Sequence, residues 1–189
     1  MVLKYTILHV VFLTLVPAFI KTADKKCHKI SLIKNFDVER IIGYWYAQEV
    51  GDSDSFESTK KCLFYNVISN KKKSNATITI LRIFNVTGAV AKTEMITSQQ
   101  IYNTSEFLAK WKQEGEIRSI WAVATDYDTW STWYICQPEH AERGMLFITT
   151  REQNPNKETL EAARNAARKE GFKMTKPYLK QIDHSQCFN

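Results

Sequence analysis

Four cysteines, Cys27, Cys62, Cys136 and Cys187, are the residues best placed to do covalent chemistry. A cysteine acts either as a thiolate or as half of a disulfide, and its neighbours tell which. None of the four stands in a C-x-x-C pair, so neither a zinc knuckle nor a redox dithiol is implied. An even number in an oxidising compartment reads as two disulfides, and each would close a long loop because no two cysteines are close in sequence. His28, His140 and His184 are scattered over the two termini and a loop. Their spacing suggests neither a catalytic triad nor a metal site. Asn75, Asn85 and Asn103 each begin an Asn-x-Ser/Thr sequon, the acceptor for N-linked glycans on surface turns of secreted chains.

The compartment such chemistry needs is written at the start of the chain. Residues 1–4 are short and basic, Thr6 to Ile20 are apolar, and Lys21, Asp24, Lys25 and Lys26 end the run. A spanning helix needs about 20 apolar residues. The shorter run reads as a secretory signal peptide over residues 1–23, with the mature domain at 24–189; a buried N-terminal helix or an anchor is the other reading. Loss of the leader removes Lys4 and Lys21 and lowers the formal net charge from +6 to +4. The lysines are scattered except for Lys71, Lys72 and Lys73 in an expected turn. A nucleic-acid groove needs a continuous basic stripe with interleaved aromatics, so no nucleic-acid partner is expected. No second apolar run reaches spanning length, so no transmembrane segment is expected either.

The elements that must position these residues are β-strands. Runs at 44–50, 61–69, 76–85, 89–97, 106–113, 117–125, 130–137 and 145–151 alternate, or are rich in Ile, Val, Thr, Tyr, Phe and Trp, and turn signals separate them. All connections but 52–60 are of hairpin size, which predicts a consecutive up-and-down order. Asn156 then caps a helix over 157–170 with Leu160, Ala163 and Ala167 on one face and Gly171 as the stop, and an extended stretch at 173–179 follows. Eight antiparallel strands and one C-terminal helix predict an all-β, eight-stranded up-and-down barrel with the helix packed outside. A sandwich, the rival fold, leaves that helix unexplained.

The segment Asn35-Phe36-Asp37-Val38-Glu39-Arg40-Ile41-Ile42-Gly43-Tyr44-Trp45-Tyr46 resembles the N-terminal signature of the lipocalins, a helical turn running into G-x-W-Y. Thr125-Asp126-Tyr127 matches the family's second motif, and Arg151 the arginine of the third. The resemblance implies that Gly43, Trp45, Thr125, Asp126, Tyr127 and Arg151 meet at the closed end of the barrel, with the Arg151 guanidinium stacked on the Trp45 indole. These would be structural residues. The cysteines resemble the subgroup of apolipoprotein D, the insecticyanins and the bilin-binding proteins, which implies bridges Cys27–Cys136 and Cys62–Cys187. It also implies an extracellular carrier of a small hydrophobic ligand: a bilin first, then fatty acids, retinoids and small odorants. No cofactor is required beyond such a guest.

Alternation assigns the inner wall. Phe107, Ala109 and Trp111 alternate with Lys110 and Lys112, so the first three should line the interior. Phe64, Trp121, Tyr134 and Phe147 join them, with either Ile80 or Leu81. Glu49 shares the facing of Trp45 by simple alternation and is expected at the rim, in water, or pointing inward near the mouth. Phe56 in the 52–60 connection is a candidate lid residue. Two rival functions remain. Catalysis by an inner thiol, as in the prostaglandin D synthases, is not expected because all four cysteines match the disulfide pattern, and the chain is read as a non-enzyme with no metal. A secreted modulator or inhibitor acting on a protein partner through the barrel loops is the alternative.

Overall fold

The structure is a computed structural model that describes residues 27–51, 61–70, 77–85, 92–111, 117–136, 144–175, 178–185 and 187. The leader, the 52–60 connection with Phe56, Lys71–Lys73, Asn75 and His140 lie outside the described residues. A 3-10 turn at Glu39–Ile41 leads into β1 (Gly43–Gly51), β2 (Lys61–Asn70), β3 (Thr77–Asn85), β4 (Lys92–Gln100), β5 (Glu106–Trp111), β6 (Ile117–Thr125), β7 (Trp130–Cys136) and β8 (Met145–Thr150). Helix α1 (Lys157–Lys169) and a short β9 (Leu179–Gln181) complete the chain. Each strand pairs antiparallel with the next, and β8 returns to β1. The sheet is therefore a closed barrel, which removes the unpaired edges an open sheet would expose. β2 pairs with β1 over Gly43–Tyr46, and β9 takes the β1 edge over Glu49–Gly51.

Three register shifts interrupt the described strands, one between Lys61 and Phe64 of β2, and those in β1 and β6 decide which side chains beside α1 face inward. Gln48 is the extra residue between Ala47, opposite Thr149, and Glu49, opposite Ile148. Val123 is the extra residue between Ala122, opposite Trp133, and Ala124, opposite Thr132. A bulge adds one residue to one strand and so inverts the facing of everything beyond it. Glu49 therefore lies neither at the rim in water nor inside. It is 3 % exposed on the outer face, where Arg164 of α1 binds its carboxylate through Nη2 and, at 2.9 Å, through Nε. The pairing with Glu49, helped by Glu161 and opposed by partial burial, holds the Arg164 pKa above its ordinary value.

The fourth strand runs three residues beyond the expected end. Ser98 and Gln100 look like loop residues in sequence, yet both are buried. The Gln100 amide donates to the carbonyls of Phe36 and Thr104 at 3.3 and 3.0 Å, which satisfies the backbone that closes this end. α1 forms as expected: the Asn156 carboxamide accepts from the Thr159 amide, and Ala163 and Ala167 are buried against the outer faces of β6–β8. The disulfides are Cys27–Cys136 and Cys62–Cys187. They tie the N-terminal segment to β7 and the tail to the start of β2, and each contributes about 2–4 kcal/mol, chiefly by restricting the unfolded chain.

Candidate binding cavity

The floor of the barrel is built from the three sequence motifs. Gly43 turns with φ +102°, a backbone conformation that disfavours a side chain, and a Cβ there would stand 3.3 Å from Arg151 Nη1. Trp45 follows it, 2 % exposed, with its indole N–H donating to the Ile41 carbonyl at 2.8 Å. The Arg151 guanidinium carbon lies 3.7 Å from a Trp45 ring centroid. Its two terminal nitrogens donate to the carbonyls of Ile42, Tyr44, Arg40 and Tyr127 at 2.7 to 3.3 Å. Burial pulls the Arg151 pKa down, against the opposing pull of Asp128 and Asp126; a guanidinium remains a cation at neutral pH all the same.

Asp126 orders the β6–β7 turn beside this cation. Its Oδ1 accepts from the amides of Asp128, Thr129 and Trp130 at 3.1, 2.8 and 3.0 Å, and its Oδ2 accepts from the Thr129 hydroxyl. Burial would raise its pKa, but these hydrogen bonds outweigh burial and hold it below the usual carboxylate value. Thr125 Oγ1 donates to the Trp130 carbonyl and accepts from the Tyr127 amide, both at 2.8 Å. Tyr127 adopts φ +69° and packs on Phe36, which meets Phe107 and Trp133 edge-on. All six motif residues thus meet at one end, where their hydrogen bonds chiefly hold backbone, and Trp45 also closes the cavity above.

Above this floor lies an apolar cavity of about 50 Å3. Trp45 and Ile41 close it below. Its wall is Tyr65 and Val67 of β2, Ile78 and Ile80 of β3, Ile96 of β4, Ile120 of β6, Trp133 and Ile135 of β7, and Phe147 and Thr149 of β8. One register step farther from the floor the inner wall changes character. Arg82 follows Ile80, Glu94 precedes Ile96, and the two are cross-strand partners joined at 3.0 Å. Arg118 precedes Ile120 and stands opposite Ala109 on the same inner face. Among the described residues the Ser98 hydroxyl, buried on the inner face of β4, has no hydrogen-bond partner.

The expected lining residues separate into three groups. Ile80 and Phe147 line the cavity. Phe107 and Ala109 are fully buried on the inner face, in the floor cluster with Phe36 and Trp133; the backbone of Trp111 ends β5, and its side chain lies outside the described residues. Phe64, Trp121 and Tyr134 face the other way, which corrects the expectation for these three. Phe64 packs between Tyr44 and Tyr46 on the outer wall. Trp121 and Tyr134 stack at 5.7 Å beneath the α1 side of the barrel, where Phe172 covers Tyr134. Burial raises the Tyr134 pKa, and its hydroxyl accepts from the His28 amide at 3.1 Å, so it is a strut for the N-terminal segment.

The reason is physical. Where a helix covers the outside of a barrel, both faces of the strands beneath are apolar, and alternation no longer distinguishes inside from outside. Trp133 and Tyr134 on β7 read alike in sequence, as do Leu63, Phe64 and Tyr65 on β2. Tyr65, Val67, Ile78, Ile96, Ile120, Trp133, Ile135 and Thr149 are the lining residues that sequence reasoning missed, and Arg82, Glu94 and Arg118 are the missed inner charges. The signal that existed was polar: Arg82 alternates in phase with Ile78 and Ile80. Of the sequons, Asn103 is exposed in the β4–β5 turn at φ +54°. The side chain of Asn85 lies outside the described residues.

A closed eight-stranded barrel with a sealed floor and an apolar cavity above it defines a calycin-type cup. The model of the Lipocalin / cytosolic fatty-acid binding protein family matches residues 42–181, and the chain belongs to that family. Solved structures agree on the fold. Insecticyanin from the tobacco hornworm Manduca sexta superposes with a TM-score of 0.67 at 16 % identity, over 85 % of this chain and 87 % of that one. The tryptamine complex of the amine binding protein of Rhodnius prolixus gives 0.63 at 18 %, over 84 % and 85 %. Lobster apocrustacyanin A1 gives 0.63 at 12 %, over 77 % and 78 %. No curated protein matches this chain in sequence.

Proposed function

We infer that the chain is an extracellular carrier that holds a small hydrophobic ligand inside its barrel, with residues 1–23 serving as the secretory leader. The observation that carries this reading is the cavity above Trp45, walled almost wholly by aliphatic and aromatic side chains. An apolar void that size gains nothing from water, which needs polar partners, and is filled favourably by an apolar guest. The two disulfides suit an oxidising compartment. With all four cysteines bonded, no thiolate is present for catalysis of the prostaglandin-synthase kind.

Cavity size reorders the ligand classes. About 50 Å3 above the floor is less than the about 150 Å3 that holds a small ring and far less than the about 300 Å3 of a usual small-molecule site, so only the narrow end of a guest fits there. The inner end of the guest is therefore slender, and a fatty acid, a retinoid or a small odorant fits it better than a broad tetrapyrrole, which would require the floor side chains to move apart. The neighbouring insecticyanin and amine-binding structures share the fold at low identity, and the ligand named for the latter belongs to that protein. The test is an absorption spectrum and a mass spectrum of the protein purified from its native source. A colourless preparation releasing a chain-like lipid is the expected result. A visible chromophore would overturn the slender-ligand reading, and a preparation that releases no small molecule and takes up none would overturn the carrier reading.

A further inference from the structure

A hollow larger than the cavity above Trp45 lies outside the barrel. It is an open groove of about 550 Å3, lined by the bulge of β1 at Gln48 and Glu49, by α1 at Leu160, and by the segment from Gln181 to Ser185. The connection from β8 to α1 adds Gln153, Asn154 and Pro155. The Ile182 amide donates to the Gln48 carbonyl at 2.9 Å, which ties that last segment to the bulge. The volume is within the usual range of a small-molecule site, about 300–1,000 Å3.

Glu49 is the one carboxylate in this lining, which holds no lysine or arginine, and two nitrogens of Arg164 already bind it. An ion entering the groove would lose water without gaining a free opposite charge. The groups that remain are carboxamides. Gln48 is the extra residue of the bulge, and bulges re-aim side chains next to binding sites. Its Nε2 donates to Thr150 Oγ1 at 2.9 Å and to the carbonyls of Gln153 and Glu152 at 3.1 and 3.3 Å. The nitrogen is spent and the carboxamide is fixed, while Oε1 accepts from none of the described residues. Gln153 repeats the arrangement: its Nε2 donates to the His184 carbonyl at 3.3 Å, and its Oε1 is likewise open. Asn154 and Gln181, both exposed, add a carboxamide each. Leu160, Pro155 and Ile182 supply the apolar surface.

We propose that this outer groove binds a neutral polyhydroxylated small molecule, a monosaccharide or cyclic polyol. Gln48 and Gln153 accept from its hydroxyls, Asn154 and Gln181 donate to and accept from others, and its C–H face rests on Leu160 and Ile182. A hydroxyl gives one hydrogen bond and takes two, which a carboxamide answers on both sides. Acceptors already held in place lose little side-chain freedom on binding. An ammonium finds the Glu49 carboxylate taken, and a carboxylate meets amide oxygens where it needs cations. The groove is separate from the barrel interior, so both sites can be filled at once.

Titrating the protein with methyl α-glucopyranoside and with myo-inositol, followed by 1H–15N amide spectra, tests this. At least one of the two should give saturable shifts, with a dissociation constant of about 1 mM or below, at the side-chain amides of Gln48, Gln153, Asn154 and Gln181. Amides of Val67, Ile96 and Trp133 on the inner wall should stay in place. Cyclohexylammonium and cyclohexanecarboxylate should bind more weakly than that polyol. Asn154→Ala with Gln181→Ala removes two exposed carboxamides and should weaken polyol binding about tenfold or more. If that double variant fails to fold, the wild-type titrations still decide. No saturable shift with either polyol, shifts confined to the inner wall, tighter binding of either ion, or unchanged affinity in the folded double variant would each overturn the proposal. Cis-parinaric acid should bind the barrel equally well with polyol at saturation, and displacement of one by the other would overturn the proposal by placing both in one site. None of these failures touches the carrier reading, which rests on the inner cavity.

Discussion

The closed end and the wall of this barrel are built on opposite plans. At the closed end the polar groups of the motif residues are partnered: one guanidinium spans four carbonyls and one indole, and one carboxylate orders an entire turn. Residue type and position are coupled there, because lysine lacks the planar fork and a residue with a side chain is strained at the φ of Gly43. Along the wall, side chains are interchangeable so long as they are apolar and fit, since burial is non-directional. A site that is geometrically constrained identifies the fold, and a site that is merely apolar is free to choose a ligand.

This contrast can be broken by mutation. The largest effect should come from the floor: Trp45→Ala removes a fully buried indole and its contact with Arg151, and should cost about 3–5 kcal/mol in urea unfolding. A loss below about 1 kcal/mol would mean that the floor is not the keystone that its packing implies. On the helix-covered wall, Arg164→Ala leaves the Glu49 carboxylate buried without its cation and should cost about 3 kcal/mol. The double replacement Glu49→Met with Arg164→Met should recover most of that loss, because the pair attaches α1 no better than apolar packing would. Additive losses in the double variant would contradict this.

A smaller effect sharpens the same comparison through pH. Asp126 sits below the ordinary carboxylate pKa because hydrogen bonds from the β6–β7 turn outweigh burial. Its contribution is complete above the ordinary value of about 4 and fades as the pH falls through the lowered one. Asp126→Asn should therefore cost about 1 kcal/mol at neutral pH, and the gap to wild type should close in acid. A gap that stays constant down to acid pH would show that the carboxylate charge contributes nothing. The smallest effect is spectroscopic. Trp133 lines the cavity and Trp121 packs outside, so ligand-induced quenching of tryptophan emission should fall in Trp133→Phe and persist in Trp121→Phe.

The same division governed what could be read from sequence. Gly43, Trp45, Asp126 and Arg151 were legible through their resemblance to the lipocalin motifs, and the order of eight strands was legible from turn signals at close spacing. β5 gave its inner face because Lys110 marks the solvent side. Phe64, Trp121 and Tyr134 were read onto the wrong face because α1 and the Tyr44–Phe64–Tyr46 cluster make the outer wall apolar too, and Glu49 because a bulge at Gln48 is invisible to a period of two. Glu94, Arg82 and Arg118 passed unnoticed for the complementary reason: a charge in a strand is read as solvent-facing, and only register shows it turned inward.

The central claim is that the cavity above Trp45 is where the ligand sits. Binding of the fluorescent chain cis-parinaric acid, followed to saturation for wild type, Val67→Phe and Phe64→Ala, tests it most directly. Val67→Phe fills the inner wall of the cavity and should abolish saturable binding while urea unfolding remains cooperative. Phe64→Ala, on the outer wall, should bind as wild type does. Undiminished binding to folded Val67→Phe would contradict the claim and place the ligand elsewhere.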